Sequence, residues 1–290
     1  MESTVETSSR IKEFLRDIKF EHSVFALPFA YLGLILAEGG WPRPNLLIWV
    51  TLAMVSFRTF AMAVNRLVDR AIDARNPRTR SRALPQEALS PRFVRRAALF
   101  SLSVFAVSAW ILGPLCFFLA PIPVFLTVVY PFLKRFTWSS HGVLGIILGM
   151  APYGAWMASR GGFSWVPGLL WIGIACWVAG FDILYSLQDV DFDQQAGLKS
   201  VPVRFGIKGA AGISAALHLA AVLAWAGVGI LAPLGWVYAV GVGTVAVFLT
   251  REHWLIRRFG LARINEAFFT MNAAASCALF FAAAADFWAR

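Results

Sequence analysis

Nine separate runs of apolar residues, each about as long as the hydrocarbon core of a bilayer is thick, limit this chain more than any other feature. A helix needs roughly 17–25 residues to cross that core. Read between charged or Pro/Gly breaks, the runs cover 23–38, 46–65, 96–113, 115–133, 142–158, 168–189, 209–231, 233–250 and 264–285. Pro28 in the first, and Gly149 with Pro152 in the fifth, would weaken a helix in water, yet neighbours in a bundle satisfy the backbone groups they free. With 59% of the residues hydrophobic, 14% charged and a mean hydropathy of +0.66, a water-soluble domain could not hide so much apolar surface. The expected fold is all-α: a polytopic membrane protein, a bundle of about nine transmembrane helices around a central cavity. Residues 1–22 are expected to be a cytoplasmic amino-terminal segment, and 23–290 a single transmembrane domain. The first run is not followed by an A-x-A type cleavage site, so no signal peptide is expected to be removed.

The basic residues orient the bundle. Of the 26 Lys and Arg, 22 fall in the amino-terminal segment and the second, fourth, sixth and eighth connections. Only Arg43, Arg160 and Arg290 lie on the other side, and Arg58 lies within a span. By the positive-inside rule the amino terminus and the long second and sixth loops face the cytoplasm. The net charge of +10 is thus mostly a topology signal. It is spread over separate segments without a nucleic-acid-binding motif, so no nucleic acid partner is expected. It favours membrane lipid with anionic headgroups, and an anionic substrate arriving from the cytoplasm. Cys116, Cys176 and Cys277 lie inside apolar runs without ligand spacing, and the four His residues show no paired spacing. These patterns point away from a zinc or haem site.

Carboxylates are sparse after Glu38, and most of them cluster in two places: Asp69 and Asp73, then Asp182, Asp189, Asp191 and Asp193. The second and sixth spans run in the same direction, so both clusters emerge at the cytoplasmic mouth. On a helix Asn65, Asp69 and Asp73 share one face, and Asp189 and Asp193 repeat that spacing. Like charges at i, i+4 repel, and carboxylates at a helix carboxy terminus oppose its dipole, each by some tenths of a kcal/mol up to about 1. A hard cation between them makes the spacing sensible, because Mg²⁺ is usually held by one or two carboxylates plus phosphate oxygens of a substrate. Arg66, Arg75, Arg78 and Arg82 follow the first cluster, Lys199 and Arg204 the second, and Lys134 with Arg135 end the fourth span. Acid and base at one mouth suggest a diphosphate. No Walker-type GxxxxGK[ST] is present. An offset of 124 residues lays Arg58 on Asp182, Asn65 on Asp189 and Asp69 on Asp193, a faint sign of duplication.

With these residues in view, the chain resembles the UbiA superfamily of intramembrane prenyltransferases, in its 4-hydroxybenzoate polyprenyltransferase-like branch. NRLVDRAID at 65–73 and YSLQDVDFDQQAGLKS at 185–200 look like its two aspartate motifs. RTRSRALP at 78–85 and YPFLKRFT at 130–137 resemble its basic segments. Ala83 stands where Pro is frequent and Glu87 where Gly is frequent. The resemblance implies a Mg²⁺-dependent transferase of quinone (ubiquinone or menaquinone) biosynthesis in a bacterial cytoplasmic (inner) membrane. Its substrates would be a polyprenyl diphosphate and an aromatic acid such as 4-hydroxybenzoate. It implies metal bridging by Asp69, Asp73, Asp189 and Asp193, with Asn65 near the reacting centre and Lys199 supporting the leaving group. Arg66, Arg78, Arg82, Lys134 and Arg135 join Lys199 as expected diphosphate ligands. Arg58, Asn65, Asp182 and Tyr185 are the expected acceptor contacts, with an Arg58–Asp182 ion pair as the plainer reading of those two. The alternatives are a naphthoate-type menaquinone precursor as acceptor, or a transporter for an anionic solute, whose charged site belongs nearer the midplane. The sequence leaves the oligomeric state open.

Overall fold

The structure, a computed structural model, describes residues 2–20, 23–232 and 234–289, and the side-chain surroundings of all these except 2–8 and 23–26. His22, Pro233 (the first residue of the eighth expected span) and Arg290 lie outside them. Every regular element among the described residues is helical: α1 Glu2–Asp17, α2 Ser23–Glu38, α3 Pro44–Asp73, α4 Pro91–Leu112, α5 Pro114–Leu119, α6 Pro121–Leu133, α7 Ser140–Arg160, α8 Trp165–Tyr185, α9 Val190–Gln195, α10 Val201–Leu231, α11 Trp236–Phe259 and α12 Asn272–Trp288.

Seven segments among the described residues are long and apolar enough to cross a membrane: α3, α4, α5 with α6, α7, α8 through α9, α10, and the stretch Glu266–Trp288. The difference from nine has two physical sources. Helix α2 has only 16 residues, and α11 carries Arg251, Glu252, Arg257 and Arg258. The chain is a multi-pass membrane protein. Its exposed Phe, Trp, Leu and Ile side chains, such as Phe100, Phe125, Leu223 and Ile230, suit contact with lipid tails.

The chain divides into two compact units, residues 1–24 with 48–131, and residues 25–47 with 132–290. In the first, Phe14 of α1 and Ile18 just past its end pack against Phe60, Ala63, Leu84, Leu89 and Val94, and Phe14 meets Phe93 edge-on with centroids 5.9 Å apart. Ser90 caps α4 by accepting a hydrogen bond from the Phe93 N–H at 3.2 Å, ahead of Pro91 at the first helical position.

In the second unit α7 and α8 approach closely. A Cβ on Gly145 would stand 2.2 Å from the Ala175 carbonyl oxygen, so only hydrogen fits there, and Gly149 follows four residues on in the small-xxx-small pattern of tightly packed membrane helices. Helix α10 bends at Gly206, whose φ of 70° breaks the helical path and accounts for an expected span that opens only at 209. Phe29, Trp177, Trp225 and Tyr238 build the core of this unit. Polar groups are tied inside it as well. The Trp177 Nε1–H donates to Asn272 Oδ1 at 2.7 Å, and Asn272 Nδ2 reaches Glu252 Oε1 at 3.4 Å. Glu252 is only 1% exposed. His218 Nδ1 and His253 Nε2 lie 3.0 Å apart, a pairing that sequence spacing could not show.

Candidate functional site

The first acidic motif lies on the last two turns of α3, as its spacing requires. Asn65 Nδ2 donates to Asp69 Oδ2 at 2.8 Å, the i, i+4 contact expected on one helix face. Asp73 is buried, and Arg82 Nη1 donates to its two oxygens at 2.8 and 2.7 Å. The loop 76–89 that carries Arg82 is a series of turns. Thr79 Oγ1 donates to the Asp73 carbonyl at 3.2 Å, and the Arg78 N–H to Asn76 Oδ1 at 2.9 Å, leaving the exposed Arg78 side chain on the loop surface. Glu87 takes a φ of 58°, the left-handed conformation that glycine adopts freely and other residues adopt at a cost. The residue type frequent at this position in the resembling family thus has a conformational reason, and the exposed Glu87 carboxylate lies 3.5 Å from Arg70.

Arg66 behaves differently from its expected role. Its side chain is 5% exposed, and its Nε lies 3.2 Å from Asp17 Oδ2. Buried in this way, its guanidinium is turned to the amino-terminal helix rather than held open for a diphosphate. Arg58, two turns earlier on α3, donates from Nη1 to the Ile18 carbonyl at 3.4 Å. Asp17 went unnoticed in the sequence because its partners are dozens of residues away and its own surroundings read as a charged leader.

The second motif departs from a simple helix. An unbroken helix was expected through Asp189, but α8 ends at Tyr185, residues Ser186–Asp189 form a 3₁₀ turn, and α9 follows. Tightening from 3.6 to 3.0 residues per turn rotates Asp189 relative to the face that α8 would have given it. Asp189 and Asp193 are both buried, whereas Asp191 is exposed. Asp193 is 2% exposed, and its Oδ2 has no hydrogen-bond partner. An orphaned carboxylate oxygen is costly unless something polar meets it. Lys134, Asp189 and His141 are within electrostatic reach of it, and the Ser200 side chain lies beside the carboxylate. Lys199 is held to the end of α6: its N–H donates to the Lys134 carbonyl at 2.6 Å and its Nζ to the Phe136 carbonyl at 3.0 Å. Arg135 lies over the Phe132 ring at 5.1 Å. Tyr185 stacks on Phe268 with centroids 4.0 Å apart. Asp182 has a partner inside its own unit, His141 Nδ1 at 2.6 Å, and His141 is 1% exposed. His141 is a second residue that sequence reading passed over.

Among the described residues no group of three or more His, Cys, Asp or Glu is gathered closely enough to hold a metal by itself. The donor set is nonetheless all-oxygen and arranged in pairs. Oxygen donors are the kind that small hard cations take, and Asp193 Oδ2 is one such oxygen.

Comparison with known proteins adds identity to this geometry. The UbiA prenyltransferase family model matches residues 26–275. A protein named 4-hydroxybenzoate octaprenyltransferase from Shewanella woodyi is 31% identical over 265 residues, which is 88% of this chain and 89% of that one. The apo structure of a UbiA homolog from Aeropyrum pernix K1 superposes with a TM-score of 0.83 at 32% identity, covering 91% of this chain and 97% of that one. A UbiA homolog from Archaeoglobus fulgidus bound to GPP and Mg²⁺ shares the fold with a TM-score of 0.71 at 19% identity, over 94% of this chain and 99% of that one.

Proposed function

We propose, starting from the fact that this chain belongs to the UbiA prenyltransferase family, that it transfers a polyprenyl group from polyprenyl diphosphate to the ring of an aromatic acid such as 4-hydroxybenzoate. Diphosphate is released, and the product serves quinone biosynthesis. The observation that carries this reading is the likeness, along 88% of the chain, to proteins named 4-hydroxybenzoate octaprenyltransferase. The transporter alternative gives way to it.

Asp69, Asp73, Asp189 and Asp193 would hold Mg²⁺, which when bound neutralises the charge that builds on the departing diphosphate. Lys134, Arg135, Lys199, Arg78 and Arg82 supply cations for the remaining phosphate oxygens. Once that charge is balanced, the allylic C1–O bond breaks and its electron pair leaves with diphosphate. The electron-rich ring carbon beside the hydroxyl forms the new bond to C1, and loss of the ring proton restores aromaticity. Water would quench an allylic cation, so apolar and aromatic surroundings such as Tyr185 on Phe268 serve the chemistry as well as the packing. The positive-inside pattern supports a bacterial inner-membrane location with the site open to the cytoplasm.

The test is purified protein with Mg²⁺, a polyprenyl diphosphate and a panel of phenolic and naphthoic acids, read by mass spectrometry. One prenylated acceptor and one diphosphate per turnover are expected. No adduct with any acceptor, under conditions where a related transferase turns over, overturns the proposal.

Arg58 would bind the acceptor carboxylate, where a planar guanidinium can make two parallel hydrogen bonds that Lys cannot. The wild-type chain is then expected to prefer a phenolic acid over the same phenol lacking its carboxylate, by about tenfold or more for a charged hydrogen bond. Arg58→Lys and Arg58→Ala lose that preference while still binding polyprenyl diphosphate. An unchanged preference in a folded, active Arg58→Ala protein assigns Arg58 to structure alone.

A further inference from the structure

Helix α1 ends on a carboxylate that has no reason to be buried unless it holds something in place. Asp17 is 6% exposed and Arg66 5%. A charge leaves water at a cost that only good partners offset. Asp17 has three links into the motif region of its unit. Its Oδ2 faces Arg66 Nε at 3.2 Å, its backbone carbonyl accepts from Arg66 Nη2 at 3.0 Å, and its Oδ1 accepts from the Ala83 N–H at 2.9 Å.

Each link continues to an acidic residue. Arg66 Nη1 donates to Asn65 Oδ1 at 3.2 Å. That donation fixes which end of the Asn65 amide is oxygen, so its Nδ2 is the end that meets Asp69 Oδ2 at 2.8 Å. Arg66 on the oxygen side and Asp69 on the nitrogen side favour the same amide orientation, and Arg66 adds the anchor that holds the amide in place. On the other branch, Ala83 directly follows Arg82, whose Nη1 bonds both oxygens of Asp73. A fixed Ala83 peptide limits where Arg82 can stand. Ile18, fully buried beside Phe14, secures the end of the helix by packing.

We infer that Asp17 is a positioning residue for the first acidic motif: through Arg66 it sets the Asn65 amide against Asp69, and through Ala83 it sets Arg82 against Asp73. The inference rests on the proposed function only in taking Asp69 and Asp73 as the carboxylates that act on the substrate. Helix α1, which the sequence presents as a charged leader, is then part of the site's support. Partners of metal-binding side chains affect metal affinity or activity by about 10–100-fold when removed, and that range sets the expected effect here.

The test uses the full chain in lipid nanodiscs and compares Asp17→Asn, Asp17→Glu and Arg66→Lys with wild type. Asp17→Asn should lower kcat by about 10-fold or more and raise the Mg²⁺ concentration giving half-maximal turnover, with the KM for the aromatic acceptor unchanged. Asp17→Glu should recover part of the loss. Arg66→Lys keeps a cation opposite Asp17 but lacks the donor to Asn65, so it should lower kcat with little change in the KM for polyprenyl diphosphate. A KM that rises with kcat intact would make Arg66 a direct diphosphate ligand and overturn the relay. Hydrogen–deuterium exchange over residues 76–89 should quicken in Asp17→Asn without any substrate present. Unchanged exchange together with wild-type kcat and Mg²⁺ dependence overturns the inference and leaves α1 a packing element. If Asp17→Asn does not fold, Arg66→Lys decides by the same two kinetic readouts. Absence of turnover in the wild-type chain would fault the proposed function instead, and the exchange measurement would still decide the role of Asp17.

Discussion

Asp69→Asn and Asp189→Asn are each expected to cut transferase turnover on the order of 100-fold or more at saturating Mg²⁺, while the protein stays folded. An amide occupies the same space as a carboxylate but lacks the charge on which a hard cation depends. In Asp69→Asn the new side chain can still accept the Asn65 Nδ2–H through its oxygen, so the local contact at 2.8 Å need not be lost. In Asp189→Asn a buried charge is removed from the neighbourhood of Asp193, which relieves repulsion between the two. Thermal unfolding should therefore show equal or slightly higher stability alongside the kinetic loss. Near-normal Mg²⁺-dependent turnover in either variant would leave that carboxylate a structural group that does not act on the metal.

The second large effect concerns folding. Gly145→Ala places a methyl group where its carbon would lie 2.2 Å from the Ala175 carbonyl oxygen. The obstacle is backbone, which cannot swing aside as a side chain can, so α7 and α8 must separate along their contact. Overpacking of a well-filled core costs typically 1–3 kcal/mol, and a backbone clash belongs at or above the upper end, about 3 kcal/mol. Gly142→Ala is the control: it lies on the same helix and its added carbon meets nothing within 4 Å. There the higher helix propensity of Ala should leave stability unchanged or raise it by up to about 1 kcal/mol. Thermal unfolding of the two variants side by side measures the difference. Equal stability would mean that the helices tolerate a wider spacing than their packing suggests.

Much of the fold was readable because a bilayer asks one simple thing of a chain, a long apolar helix, and hydropathy reports it directly. The first acidic motif was readable for a similar reason. A single helix, α3, carries Asn65, Asp69 and Asp73, so local spacing becomes spatial arrangement without any further information. The second motif was not fully readable, since a helix and a 3₁₀ turn followed by a helix put the same letters in the same order. Only the tertiary surroundings of Ser186–Asp189 select the tighter turn. Asp17 and His141 escaped notice because what distinguishes them is a partner 49 or 41 residues away. Arg66 reads from the sequence as a diphosphate ligand, since nothing in its neighbouring letters indicates its burial against Asp17.

Glu252 and Asn272 carry a consequence for biogenesis. Helix α11 alone would carry the Glu252 carboxyl group, buried in the finished bundle, without its amide partner, and a buried polar group left unpartnered costs on the order of 1–3 kcal/mol. Asn272 opens α12, so that partner is synthesised only after α11 is complete. The two helices therefore have reason to pack together as a hairpin rather than one after the other. A nascent chain stopped before Asn272 should leave α11 reactive to water-soluble labels, and one extended through α12 should not. The price of a polar tie inside the finished bundle is then an obligatory order in its manufacture.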